Sequence, residues 1–211
     1  MMYNRKSIRT ITEPTGLAVS LVDMKLFLAV EGAADDALIT DFIEVATESV
    51  KQYIQRSILT ETIEFTMDGF TAGNDDAILA LGAGTHTGHR ASIMGAPGEF
   101  DLPFPPVASI TSLTTYSVAN VAAVFDAASY EFDSNTGRLY LNEGYTWPTD
   151  LRARSAVVVE YVTGFAIIPK PILQGIKQMV AIMYECREIC ELPEGCKAIL
   201  APYRRMDALA W

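Results

Sequence analysis

The chain has 211 residues, half of them hydrophobic and a fifth charged, a composition that is typical of globular proteins and excludes global disorder. The 26 acidic and 16 basic residues give a net charge of −10, which argues against a protein that grips nucleic acid through Lys and Arg. No apolar run reaches the roughly 20 residues of a membrane helix. The first 20 residues lack the apolar stretch of a secretory signal, so we expect a cytosolic chain.

The negative charge is concentrated in one internal stretch. Residues 31–101 hold thirteen acidic and three basic residues, whereas residues 1–30 hold four basic and two acidic ones. A solvated acidic surface is the simpler interpretation. The alternative is a surface that must not adhere to an anionic partner.

The N-terminal third predicts an arm, two helices and a strand. Residues 1–16 show no hydrophobic periodicity and predict an arm. Ser20, followed three residues later by Asp23, predicts the N-cap of a short, strongly apolar helix that runs to Val30. Helical periodicity with a broad apolar stripe predicts a second helix over 36–56. Alternation from Thr60 to Met67 then predicts a strand.

The middle of the chain is predicted to be rich in β-structure. Residues 71–101 are rich in Gly, Ala, Asp and Thr and predict a long loop or a loose hairpin. The segment 102–106 is stiffened by three prolines and cannot be a central strand. Further strands are predicted over 107–117, 130–133, 138–141 and 156–162, with a hairpin turn at 135–137.

Helical patterns return near the C-terminus. Pro169 and Pro171 open a third helix, which we expect to end at Leu192-Pro193, and residues 194–201 predict one more short helix. The fold class is therefore α+β, a small bundle of three main helices with an inserted antiparallel β layer. The predicted parts are an N-terminal arm (1–20), a discontinuous helical core (21–58 and 165–201), a β-rich insertion (59–164) and a C-terminal tail (202–211).

The residues that could carry chemistry form no recognisable site. His86 and His89 lie in a Gly-rich stretch without further ligands, so a solvated loop is favoured over a metal site. Cys186 and Cys190 share a helix face near Cys196, where buried, reduced thiols are favoured over zinc ligands. No nucleophile, phosphate-loop or dinucleotide motif is present in the sequence. We therefore expect no catalytic residue, metal or cofactor.

The tail predicts an interface. Most of the residues that follow Pro202 belong to types that are enriched in the cores of protein interfaces. The candidate partner-binding residues are Tyr203, Arg204, Arg205, Met206, Leu209 and Trp211. A tail folded back on its own chain is the alternative.

Taken in order, these features resemble the head–tail connector (adaptor) family of long-tailed bacteriophages and gene transfer agents. The resemblance spans about residues 17–205. It is carried by the first helix from Leu21 to Val30, the acidic helix start at 35–39, the proline-rich strand start at 102–110, and Trp147-Pro148 with the strand at 157–161. Toward the C-terminus it is carried by Gly164-Phe165, Pro169 and Pro171-Ile172, the pairs Tyr184-Glu185 and Arg187-Glu188, and Leu200 with Pro202-Tyr203-Arg204.

The resemblance implies a structural virion protein without catalysis. Such proteins form a ring, typically of twelve copies, beneath the portal protein, where the ring extends the DNA channel and joins the capsid to a stopper or tail component. Head-to-tail contacts join neighbouring copies. The chain would be made in the host cytoplasm, act in the virion neck without contacting a membrane, and let DNA pass without specific binding.

Two expectations connect this role to particular residues. An acidic channel wall lets DNA slide, and its candidates are Glu44, Glu48, Asp75 and Asp76. The tail segment 203–211 is the candidate for docking to the portal protein. The alternative function, from a different class, is a small cytosolic ligand-binding or regulatory module that uses the β layer.

Overall fold

A computed structural model of the chain describes residues 5–70, 99–187 and 191–205. Within these ranges the chain forms four α-helices and eight β-strands, which confirms the α+β class. The chain divides into two compact units. The helical unit comprises residues 14–61 and 164–211, and the β unit comprises residues 1–13 and 62–163.

The helical unit contains helices α1 (Leu21–Leu28), α2 (Asp36–Ile54), α3 (Lys170–Cys186) and α4 (Glu194–Leu200). The predicted cap of α1 is confirmed, because Ser20 Oγ accepts a hydrogen bond of 3.1 Å from the Asp23 N–H. The helix ends two residues before Val30, since Ala29 adopts a left-handed conformation with φ 53°.

The apolar stripe of α2 forms the centre of the helical unit. Its buried side chains pack with those of α3 and with Met24 and Leu200. They are Ile39, Ile43, Ala46, Val50 and Ile54. Removing such a set of side chains from water supplies the main stabilisation of the unit, because each buried aliphatic side chain contributes about 1.5–3 kcal/mol.

Helix α3 is shorter than the sequence predicts. It ends at Cys186 rather than at Leu192-Pro193. Arg187 adopts φ 53°, and its N–H donates to the Met183 carbonyl at 2.8 Å, a left-handed closure that the amphipathic pattern alone does not reveal. Cys190 lies outside the described residues.

The β unit holds two antiparallel sheets where the sequence predicts one layer. The first sheet has the strand order β1-β2-β8-β4-β5 and the second has the order β3-β7-β6. The strands are β1 (Lys6–Thr12), β2 (Glu61–Met67), β3 (Glu99–Asp101), β4 (Val107–Tyr116), β5 (Ala122–Val124), β6 (Tyr130–Phe132), β7 (Arg138–Leu141) and β8 (Val157–Thr163). Buried and half-buried residues alternate along β2 and β8, so one side of these strands forms the core.

The arm predicted over residues 1–16 contains a strand. Residues Lys6–Thr12 pair antiparallel with β2, with Ile8 opposite Phe65. Most residues of β1 are exposed on both faces, so the strand has no apolar alternation that sequence analysis could detect. The arm is therefore in part an edge strand of the first sheet.

Gly164 packs closely against the backbone of the chain that leads into β2. Its φ is +127°, and a Cβ atom placed there would lie 2.4 Å from the Leu59 carbonyl oxygen. Next to it, the Phe165 N–H donates to the Ile58 carbonyl at 3.3 Å. Only glycine meets both the conformational and the steric requirement at this position.

Candidate interaction surfaces

The described residues present exposed charged and apolar surfaces. Among them, no group of three or more His, Cys, Asp and Glu side chains is placed to hold a metal ion. No helix in the same ranges is long and apolar enough to cross a bilayer. His86 and His89 lie outside these ranges.

The two described cysteines differ in their environment. Cys186 is exposed and Cys196 is buried. Burial raises the pKa of the Cys196 thiol, because a thiolate loses its hydration inside the protein. Cys196 Sγ also lies 3.4 Å from Gln178 Oε1, so this thiol is a packed side chain of the helical unit.

An acidic face runs along α2 on the side opposite its buried stripe. Asp41, Glu44 and Glu48 are exposed there at helical spacing. Glu48 accepts a hydrogen bond of 2.6 Å from Gln52 Nε2 and lies 3.7 Å from Lys51 Nζ. Two of the four predicted channel residues, Glu44 and Glu48, thus share one face, while Asp75 and Asp76 lie outside the described residues.

A buried ion pair with Glu61 engages Lys51, which lies beside the acidic face. The Glu61 side chain is only 2% exposed, and its Oε1 lies 2.8 Å from Lys51 Nζ. Ser57 Oγ donates to the same carboxylate at 2.5 Å. Because Lys51 makes its shorter contact with Glu61, it neutralises Glu48 only in part, and the face keeps negative charge.

The start of the predicted docking tail lies against its own chain. Arg56 Nε donates to the Tyr203 carbonyl at 2.9 Å, and the Arg205 N–H donates to the Ile54 carbonyl at 3.0 Å. Arg205 is buried, whereas Arg204 is exposed with its guanidinium 5.5 Å from the centre of the Tyr53 ring. Met206, Leu209 and Trp211 lie outside the described residues.

Two exposed apolar surfaces were not predicted from the sequence. The first apolar surface lies on α1, where Val22, Leu26 and Phe27 are exposed. The sequence contains a signal for this surface, because six of the eight residues of α1 are apolar and a short helix cannot bury apolar side chains on all of its sides. The other is the β4–β5 hairpin, which we define as residues 117–125. Val118, Val121 and Val124 are 70%, 63% and 73% exposed there.

The hairpin surface also has a sequence signal. No charged residue occurs between Ser117 and Phe125, and natural proteins usually protect an edge strand with charge or proline. An apolar, uncharged edge is typical of a surface that another molecule covers.

Comparisons with known proteins identify the family. The model of the phage gp6-like head–tail connector protein family matches residues 18–123, just over half of the chain. No curated protein matches the sequence.

Solved structures of gene transfer agent (GTA) particles share the fold. The chain resembles a subunit of the neck of an empty GTA particle computed with C6 symmetry, with a TM-score of 0.71. It also resembles a subunit of the neck of a native GTA particle computed with C12 symmetry, with a TM-score of 0.68, and one of the virion of a native particle, with a TM-score of 0.67. Each match is 17% identical and covers 97% of this chain and 98% of the other.

The family match and the likeness in fold over nearly the whole chain agree with the resemblance inferred from the sequence. The chain therefore belongs to the phage gp6-like head–tail connector protein family and is a structural head–tail connector.

Proposed function

We propose that twelve copies of the chain form a ring beneath the portal protein, where the ring extends the DNA channel and joins the capsid to a stopper or tail component. The role involves neither catalysis nor a cofactor. A bundle of the three longer helices, with the β layer inserted, forms the body of each subunit. The observation that carries the proposal is the family match, supported by the likeness to a neck subunit in a particle computed with C12 symmetry.

Electron microscopy of purified particles that carry a tagged copy of the full chain tests the ring. We expect the tag at the neck, with the subunit density repeated twelve times around the axis. A tag that is lost on particle purification, or a density found in the capsid shell or tail tube, would contradict the proposal.

We further propose that acidic side chains of the chain line the DNA channel or its rim, with Glu44 and Glu48 on the acidic face of α2, together with Asp75 and Asp76, as the candidates. Duplex DNA carries about one negative charge per 1.7 Å, and an acidic wall repels it instead of binding it. The exposure of Glu44 and Glu48 and the engagement of Lys51 with Glu61 support this placement.

The double variant Glu44→Lys/Glu48→Lys tests the channel wall. We expect particles with this variant to release DNA several-fold more slowly in vitro, because lysines in the wall would bind phosphates. The matched control is Glu131→Lys/Glu143→Lys, which changes the net charge equally at two exposed positions of the β unit. Equal release rates for the two variants would place Glu44 and Glu48 away from the channel.

We also propose that the tail, residues 203–211, docks to the portal protein. The contacts of Tyr203 and Arg205 with Arg56 and Ile54 support an anchored start for this segment. Arg204, an exposed residue, begins the docking part. In this arrangement Arg205 contributes by anchoring the segment to its own subunit.

Deletion of residues 206–211 tests the docking proposal while leaving the anchor contacts in place. We expect at least a tenfold loss of retention on purified portal rings, with an unchanged circular dichroism spectrum. The control replaces the same six residues with Gly and Ser, which keeps the length and removes the apolar side chains. Undiminished retention of both variants would exclude docking through this segment.

A further inference from the structure

The two edges of the five-stranded sheet are open within the described part of the chain. Strand β1 pairs with β2 and strand β5 pairs with β4, and each is the last strand at its edge. An edge strand presents backbone N–H and C=O groups on its outer side, and these groups can hydrogen-bond to a strand of another chain. In the described part of the chain, the sheet therefore presents two different open edges, one on β1 and one on β5.

We infer that β5 of one copy pairs with β1 of the neighbouring copy, so that the sheet continues from subunit to subunit around the ring. The inference rests on the proposed ring and adds the surface that closes it. A ring of identical subunits needs a head-to-tail contact between two different patches of the same chain. The opposite edges of one sheet are such a pair of patches.

The apolar side chains of the two edges suit each other. Every residue of β5 is exposed, and Val121 and Val124 extend the apolar surface of the hairpin. On β1, Ile8 and Ile11 are partly exposed although both are apolar. Pairing the two strands would bring these β-branched side chains together across the interface, which is a favourable cross-strand combination.

The charges of the two edges favour this pairing over the alternatives. Strand β1 carries Lys6 and Arg9 and no acidic residue, and Arg9 pairs with Glu64 of β2 at 3.1 Å, so pairing two β1 strands would bring together strands whose own charges have the same sign. The hairpin is uncharged, and Asp126, exposed two residues beyond β5, gives that edge the opposite sign. Pairing of β5 with another β5 would be isologous and would give a closed dimer, which cannot extend into a ring.

The cationic side chain of Arg152 lies near the hairpin and is bound by residues of its own chain. Arg152 Nη1 donates to Asn120 Oδ1 at 2.6 Å and Nε donates to the Ser155 carbonyl at 3.1 Å. Its guanidinium also lies 4.0 Å from the centre of the Tyr116 ring. Arg152 is therefore held at the turn of the hairpin, at the opposite end of β5 from Asp126.

Cross-linking in assembled particles tests the pairing. The full chain would carry Ile8→Cys and Val124→Cys, with Cys186 and Cys190 replaced by serine. With a short bismaleimide we expect a ladder of covalent oligomers that reaches the full ring. Each single variant alone should stay monomeric, and a mixture of the two single variants should stop at dimers. The combination of Ile8→Cys with Val22→Cys, an equally accessible position on α1, should give no ladder.

The outcomes separate this inference from the ring proposal. Rings at the neck without a ladder would overturn the edge pairing and leave the ring intact, whereas the absence of rings would overturn the proposed function itself. Dimers formed by Val124→Cys alone would indicate an isologous contact and also overturn the inference.

Hydrogen exchange on the unmodified chain gives a second measurement that no substitution can disturb. Among Ala122–Val124 and residues 7–11, we expect the amides on the outer side, which do not bond to β4 or β2, to exchange at least tenfold more slowly in particles than in the free chain. Equal exchange in both states would overturn the pairing even if the cysteine variants failed to assemble.

Discussion

Glu61 illustrates how much one buried carboxylate depends on its partners. Replacing Lys51 by Met would leave the Glu61 carboxylate buried with the Ser57 hydroxyl as its remaining described partner. We expect a loss of about 3 kcal/mol in the free energy of unfolding, because an unpaired buried charge keeps its desolvation cost. Urea unfolding followed by circular dichroism measures the loss.

The control for this prediction is Lys197→Met. Lys197 pairs with Glu194, whose side chain is 88% exposed, and a solvated pair contributes little to stability. We expect no measurable change. Equal losses in the two variants would show that the burial of Glu61 does not matter.

Among the glycines that the structure describes, Gly164 is the one where an added methyl group meets the closest backbone atoms. In Gly164→Ala the new Cβ would lie 2.4 Å from the Leu59 carbonyl oxygen at a φ of +127°. We expect a loss of about 4 kcal/mol, the sum of backbone strain and overpacking. In the control Gly144→Ala, with φ +88° and nothing within 4 Å of the new methyl, strain alone should cost about 1–2 kcal/mol. Similar unfolding curves would contradict the steric argument.

The thiols should react in a fixed order. In a Cys190→Ser chain, a disulfide reagent such as DTNB should modify exposed Cys186 quickly. It should reach Cys196 only after denaturation, since burial both shields this thiol and raises its pKa. The final absorbance of the reaction product, measured with and without urea, gives the number of thiols that have reacted in the native and in the unfolded protein. Fast reaction of both thiols in the native protein would show that Cys196 is accessible.

At the scale of elements, the β6–β7 turn depends on one carboxylate. Asp133 accepts hydrogen bonds from the Asn135 N–H at 2.8 Å and the Thr136 hydroxyl at 2.9 Å. The Asn135 bond, followed by the Thr136 bond, lowers the pKa of Asp133 below its ordinary 3.8. The stabilisation is therefore complete above pH 3.8 and is lost as the pH falls through the lowered pKa.

Unfolding of Asp133→Ala and of the unmodified chain between about pH 5 and pH 2 measures this effect. We expect the difference in stability between the two to shrink as the pH falls, because the protonated carboxyl no longer accepts both bonds. The exposed Asp150→Ala serves as control and should show no such convergence. A difference that stays constant with pH would contradict the role of the charged carboxylate.

The elements that are predicted best from the sequence are those marked by a local pattern of residues within the element. The apolar stripe of α2 and the Asn135-Thr136-Gly137 turn were found because periodicity and turn chemistry are local. Strands β1 and β5 were not predicted. Strand β1 is exposed on both faces and shows no alternation of apolar and polar residues, and the three residues of β5 are too few to show a period. The end of α3 was not predicted because the left-handed conformation there is adopted by Arg187, and not by the Gly or Asn that usually marks the end of a helix.

The candidate surfaces were predictable only in part for a related reason. The polar side of α2 was visible in the sequence, so the exposure of Glu44 and Glu48 follows from its helical pattern. That Arg205 is buried while Arg204 is exposed depends on contacts with residues about 150 positions away, which no local pattern contains. The exposed valines of the hairpin needed the sheet order before their position at an edge could be recognised.

At the scale of the whole molecule, the net charge of −10 determines the behaviour of the free chain toward DNA. We expect no binding of a labelled duplex in fluorescence anisotropy at any salt concentration, because few counterions would be released. The variant Glu44→Lys/Glu48→Lys, with a net charge of −10 + 4 = −6, should still not bind as a monomer. Binding by the unmodified chain that weakens with added salt would contradict the acidic channel wall.

The division of the chain into two units has a consequence for its synthesis. The β unit is complete once residue 163 has left the ribosome, whereas the helical unit needs residues from both sides of it. Until α3 is translated, the stripe of α2 lacks its longest partner helix, so it is covered only in part and is a natural substrate for chaperones. A truncated product would keep that stripe uncovered, so the host would degrade it before it could enter a growing particle.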